Sequence, residues 1–160
     1  MINNDGFDID SCNRVTVTDS FFDTGDDCIA IRAMRRSPED TAICGNILVA
    51  NCYLSSSWQC VRIGCPSDDT IRNMVFRGLV LHGRGNGILC EAPWHYLRKN
   101  DNGYMNAHDI QFSDCDIDCP WHAISSTYVR NFMMNNVSLS AEIGEPEPPP
   151  QRTGTGWEAN

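Results

Sequence analysis

Two adjacent aspartates, Asp26 and Asp27, stand in "TGDDCIAI", with Gly25 before them and the alternating apolar residues Ile29 and Ile31 after them. A third, Asp5, precedes a shorter stretch of the same kind in "NNDGFDI". Crowded carboxylates split their pKa values, so that one keeps its proton while its neighbours ionise. A proton donor on one side and a base activating water on the other are what hydrolysis of a glycosidic bond by inversion needs. The same acids could instead hold a hard cation such as calcium. The plainer alternative is an Asp-rich turn that solvates a strand end. Against it stands the repulsion of like charges ~5 Å apart, ~3 kcal/mol at the effective dielectric of a cleft and less in open water.

For these residues to meet, the chain must bring them together repeatedly and in register. Five segments share the template apolar–x–apolar–x–(Asp, Asn or Gly)–(small or apolar)–x–apolar: residues 15–22, 47–54, 74–81, 110–117 and 132–139. They start about 22–36 residues apart, within the range of solenoid repeats. After the first four, a further apolar residue follows at an unvarying interval: Ile29, Val61, Ile88 and Ile124. A constant interval inside each repeat with variable gaps outside is what stacked coils require, since the core cross-section must match while rim loops lengthen freely. Alternation of period two marks the segments as strands, and no amphipathic helix intervenes. The pattern predicts an all-β, right-handed parallel β-helix of about five coils over residues 1–141, followed by a Pro/Gly-rich tail at 142–160. A β-sandwich is the alternative, though sandwiches rarely keep so fixed an interval.

Aligning the repeats in phase also stacks the polar residues. Asp5, Asp27, Gln59, Asn86 and His122 fall in one column, and Asp26, Trp58, Gly85 and Trp121 in the column beside it. With rungs ~4.8 Å apart, Asp5 and Asp27 become neighbours with Asp26 at their side, whereas His122 lies ~14 Å from Asp27 and reads as a rim residue. Trp58 and Trp121 either stack across the gap at Gly85 or line the groove. The nine cysteines mostly take core columns (Cys28 with Cys60, Cys12 with Cys44, Cys52 with Cys115), as small buried fillers do. A Cys12–Cys44 disulfide fits the stacking, and the odd total leaves at least one free thiol. No CxxC pair or His-rich spacing points to a structural metal.

Composition narrows the partners. The 160-residue chain carries a net charge of −9, which argues against a phosphate-binding surface and hence against nucleic acid. No apolar run approaches the length of a membrane span, and the start has no signal-peptide pattern. It opens on "MINNDG", as though Met1 stood before the middle of a longer protein, so a fragment is expected.

"NNDGFDI" followed by "TGDDCIAI" resembles the signature of glycoside hydrolase family 28, the polygalacturonases and rhamnogalacturonases. The similarity is close across residues 3–32 and is carried mainly by the repeat to about residue 139. It implies a parallel β-helix and an inverting hydrolysis of plant cell-wall polysaccharide without cofactor or metal. Asp26 falls on the general acid, and Asp5 and Asp27 on the carboxylates that position and deprotonate the attacking water. Two motifs depart from the pattern. The family's "GHG" aligns with "WQC", putting Gln59 in place of His, and its "RIK" aligns with "LCE", putting Leu89 and Glu91 in place of the cations that hold a uronic-acid carboxylate. Glu91 would repel galacturonate, which favours a neutral sugar or a pectic chain bound in another way.

Gln59, Arg62, Glu91, Trp94 and His95 are the candidate substrate-binding residues. The last two lie in "EAPWHYLRKNDNGY", where Trp94, His95 and Tyr96 beside Arg98 and Lys99 either face sugar rings or pack down on the coil below. Family members are much longer, so the resemblance also implies missing upstream coils, an uncapped end that self-associates, and an extracellular or periplasmic location. A carbohydrate-binding or adhesive β-helix that retains an ancestor's acids is the competing function. A pectate-lyase-like, calcium-dependent enzyme is a third reading, but it needs an Arg or Lys base near Asp26, and none aligns there.

Overall fold

The computed structural model describes residues 3–96 and 104–140, except for the side chain of Trp94. Its strands are β1 (Phe7–Asp10), β2 (Asn13–Thr18), β3 (Phe21–Thr24), β4 (Ile29–Arg32), β5 (Cys44–Ala50), β6 (Tyr53–Ser56), β7 (Gln59–Ile63), β8 (Thr70–Arg77), β9 (Val80–Gly83), β10 (Asn86–Cys90), β11 (Asn106–Asp118), β12 (His122–Ser126) and β13 (Val129–Ser140). A single 3-10 turn, Trp94–Tyr96, is the only helical element among the described residues. All pairings are parallel. One face stacks β1, β4, β7, β10 and β12; β2, β5 and β8 form a second, and β3, β6 and β9 a third. The long β11 runs through the corner and joins the last two faces, and β13 lies along it. This is a parallel β-helix, and the described residues form no βαβ unit or sandwich.

The register follows the sequence columns. Val15 pairs with Ile47, Ile47 with Met74, Met74 with Ile110, and Ile110 with Phe132. On the first face Ile29 pairs with Val61, Val61 with Ile88, and Ile88 with Ile124. These columns point inward and make the core, with the Phe76 and Phe112 rings stacked 4.4 Å apart. Each such buried side chain contributes ~1.5–3 kcal/mol, which a solenoid needs because every coil relies on its neighbours.

The polar template position has its own structural reason. Asp19, Asn51, Gly78, Asp114 and Asn136 all adopt positive φ where the chain bends between the second and third faces. Asn, Asp and Gly are the residues that tolerate this conformation. Arg14, Asn46, Asn73, Asp109 and Asn131 form a second positive-φ column. Side-chain amides lace both columns from rung to rung. Asn46 Nδ2 donates to Asn13 Oδ1 (2.8 Å), Asn73 Nδ2 to Asn46 Oδ1 (3.1 Å), and Asn136 Nδ2 to Asp114 Oδ1 (2.7 Å).

The cysteines are all free thiols. Eight are buried, in keeping with their use as core fillers. Cys12 is exposed on the outermost rung, which corrects the expectation of a core position, and it makes no disulfide with Cys44. Cys119 Sγ instead reaches Cys60 Sγ at 3.9 Å. No helix among the described residues is long and apolar enough to cross a membrane. The predicted tail at 142–160 lies outside the described residues.

Candidate active site

The acids sit where the third face hands over to the first, on the connection between β3 and β4. That connection is tied on both sides. Thr24 Oγ1 and Ser56 Oγ both donate to the Asp26 carbonyl, at 2.7 and 2.6 Å. Gly25 N donates to Asn4 Oδ1 at 3.0 Å, and Gly6 N to the Asp27 carbonyl at 2.8 Å. Asp27 N donates to Asp5 Oδ1 at 3.3 Å, so the backbone itself couples two of the acids. Asp5, Asp26 and Asp27 each present a carboxylate oxygen within 4.8 Å of the others.

Their environments differ. Asp26 and Asp27 are buried, whereas Asp5 stays in contact with solvent on the outermost rung. The Asp5 carboxyl is nonetheless raised above the usual carboxylate range. Partial desolvation is the main cause, followed by the charges of Asp8 and Asp26, and the Asp27 N–H and Arg32 oppose it. Asp27 meets a cation, since Arg62 Nη1 lies 3.8 Å from Asp27 Oδ2 and donates to Gln59 Oε1 at 3.4 Å. Burial works most strongly against the Arg62 charge, but Asp27, Cys65, Tyr96 and Glu91 together outweigh it, and the guanidinium is held above its ordinary pKa.

Arg62 is thus more than a contact for a distant sugar. The alignment finds no basic residue near Asp26, yet in space one stands beside Asp27. The signal lay in the column Asp8, Ala30, Arg62, Leu89 and Ser125, all on consecutive strands of the first face. Arg62 is therefore the register neighbour of Leu89, one rung from the aligned position that lacks its cation. The lyase reading asked for an Arg or Lys near Asp26; Arg62 stands on the neighbouring rung, where its ion pair with Asp27 opposes the loss of its proton. The three carboxylates are close enough to hold a divalent cation, but Arg62 already places positive charge beside them.

Gln59 is buried on the rung next to Asp27, and Cys28 N donates to its carbonyl at 3.0 Å. Glu91 is half-buried, and its charge is felt at Arg62. His95 packs against Tyr96 within the Trp94–Tyr96 turn, ring centroids 4.2 Å apart and planes tilted by 43°. Tyr96 is near enough to act on the Arg62 charge, which puts this turn on the acid side of the molecule. The Trp94 side chain, Arg98 and Lys99 lie outside the described residues. His122 is exposed and its Nδ1 lies 3.0 Å from Asn86 Oδ1, a rim position as the column predicts. Trp58 and Trp121 do meet across Gly85, at 5.7 Å and a tilt of 55°.

Three carboxylates, two of them buried, thus meet beside a cation on one face of a parallel β-helix. The family model for glycosyl hydrolases family 28 matches residues 2–88, more than half of the chain, and the chain belongs to that family. The matched region contains Asp5, Asp26, Asp27, Gln59 and Arg62 and stops short of Leu89 and Glu91. Neither the comparison with curated proteins nor that with solved structures gives a match.

Proposed function

We propose that the protein hydrolyses glycosidic bonds in a plant cell-wall polysaccharide, with Asp26 as general acid and Asp5 with Asp27 as the pair that holds and deprotonates water. The observation that carries this reading is the meeting of three carboxylates within 4.8 Å in unlike environments. Asp27 is the one that stands beside the Arg62 guanidinium. Asp5 faces solvent, where an attacking water can reach it. Asp26, buried within 4.8 Å of both, is left to face the glycosidic oxygen. Arg62 and Gln59 orient Asp27, and Arg62 also offsets Glu91, so a uronic-acid residue and a neutral sugar both remain substrates to test.

Stereochemistry is the sharpest part of the reading. Acid and base in inverting enzymes usually stand ~6.5–9.5 Å apart, and the two carboxyl groups of retaining enzymes ~5–5.5 Å. Spacing by itself therefore favours retention, whereas the family resemblance favours inversion by a water shared between two carboxylates. The first-formed anomer, followed by proton NMR, is expected to be inverted; a retained product would make Asp5 or Asp27 a nucleophile. The primary test is reducing-sugar release from pectic and neutral polysaccharides by the wild-type chain and by Asp26→Asn. Release that vanishes in the variant supports the hydrolase. No release by a folded wild-type chain favours the carbohydrate-binding reading. An extracellular or periplasmic location follows from the family, and self-association from the unpaired strands of the outer rung.

A further inference from the structure

Beyond the carboxylates, the column of Asp26 continues into an aromatic notch that the reaction as described does not use. Trp58 stands one rung from Asp26 and Trp121 three rungs from it, with Gly85 between. The two indoles meet across position 85, where the backbone admits only glycine, since a Cβ there would lie 1.8 Å from the Trp58 carbonyl oxygen. The backbone passes tightly through this gap, with Asn86 N donating to the Trp58 carbonyl at 2.8 Å. Both rings are half-exposed, and their 55° tilt makes a notch instead of a closed stack. A polar rail runs alongside in the neighbouring column, where Gln59 and Asn86 are buried and His122 is exposed, with Asn86 Oδ1 and His122 Nδ1 3.0 Å apart.

We infer that Trp58 and Trp121, with the Asn86–His122 pair, form a sugar-binding subsite that takes one residue of the polysaccharide next to the residue being cleaved. This rests on the glycosidase reading, because the occupant is a unit of the same chain. A pyranose offers what the notch accepts, an apolar C–H face for an indole and hydroxyl groups for amide and imidazole partners. The notch is centred about two rungs from Asp26, ~10 Å away. That is too far for a reacting atom and suited to a neighbouring sugar. Trp58, Gly85, Trp121, Gln59 and Asn86 carry no charge, so what they offer is a ring face and hydroxyl partners. The notch also sets the direction of the groove, along the stacking axis from β4 towards β12.

The test uses the Asp26→Asn chain, so that binding is read without turnover. Oligogalacturonides and neutral galacto-oligosaccharides of three and six residues are titrated calorimetrically against this chain and against versions that also carry Trp121→Ala or Trp121→Phe. The expected result is a hexasaccharide affinity about tenfold weaker with Ala and a smaller loss with Phe, with the trisaccharide less affected than the hexasaccharide. Should the Ala variant fail to fold, the indole N–H NMR signals of Trp58 and Trp121 in the Asp26→Asn chain are expected to shift as hexasaccharide is added. Equal affinities in all three chains, indole signals unmoved at saturation, or no binding of any oligomer would each overturn the subsite. Hydrolysis separates the two claims. Trp121-dependent binding without hydrolysis by the wild-type chain would leave the subsite standing and remove the reaction, and hydrolysis indifferent to Trp121 would do the reverse.

Discussion

At the scale of single residues, Arg62 decides how the acids differ. It is nearly as buried as Asp27, and a partner removed from a buried ion pair leaves a charge stranded. Arg62→Met is expected to destabilise by an amount near the lower end of ~3–5 kcal/mol, because a 3.8 Å pair is not a close hydrogen bond. Adding Asp27→Asn should restore part of the loss, which a double-mutant cycle by chemical denaturation would measure. Asp5 works in the opposite sense. Its folded pKa is raised above the unfolded value, so its contribution favours folding below the unfolded pKa and is lost as pH rises through the folded one. Asp5→Asn should therefore be more heat-stable than wild type at neutral pH and lose that advantage in acid, while its hydrolytic activity falls. Melting temperature against pH for both chains checks the sign. The sequence showed the three acids through column alignment alone. It did not show Arg62 beside them, because an outward column of Asp, Ala, Arg, Leu and Ser carries no repeated type for the eye to follow.

At the scale of elements, the bends and loops are held by residues that the repeat reveals unevenly. The template's Asp/Asn/Gly position was legible because a positive φ restricts the choice to those types. The second such column was hidden by Arg14, a residue seldom chosen for that conformation. Gly78 tests the argument directly. Its column elsewhere holds Asn and Asp, and a Cβ there would crowd the side-chain oxygen of Asn51, at 2.9 Å, with the Asn51 backbone at ordinary contact distance. Gly78→Asn is expected to change stability by less than ~0.5 kcal/mol, whereas Gly78→Val, β-branched at φ +60°, should cost ~1–3 kcal/mol. Thermal unfolding of the two variants side by side separates backbone conformation from mere bulk. The loop between β4 and β5 had no template at all. It is pinned by Asp69, which accepts from Arg35 Nε at 2.8 Å and from the N–H groups of Ala42 and Thr70. Burial alone would raise this carboxyl, but those donors bring it down to about 2. The sign is that of a depressed acid: the stability is present above the unfolded pKa and is lost as pH falls through about 2. Asp69→Ala should speed amide exchange across residues 33–43 and cost ~1–2 kcal/mol at neutral pH, much of the pair being screened by solvent.

At the scale of the whole molecule, a solenoid gives every inner strand two partners and leaves its outer rung one short. Among the described residues β1, β2 and β3 pair on one side only, and they present Phe7 and Phe21 at 42% and 68% exposure. Phe21 stacks on Tyr53, ring centroids 5.1 Å apart, so the apolar surface runs on to the next rung. Flat unpaired edges carrying apolar side chains invite another edge. The net charge of −9 opposes that approach, and salt screens the repulsion. Association is therefore expected to strengthen as ionic strength rises, the reverse of an assembly held by ion pairs. Sedimentation velocity at ~0.05 and ~0.5 M salt, across a concentration series, would show a growing dimer or oligomer fraction at the higher salt. Phe21→Lys should weaken it at both by placing charge on the edge. A compact monomer throughout, unchanged by the substitution, would mean that the outer rung is closed by contacts other than a second copy.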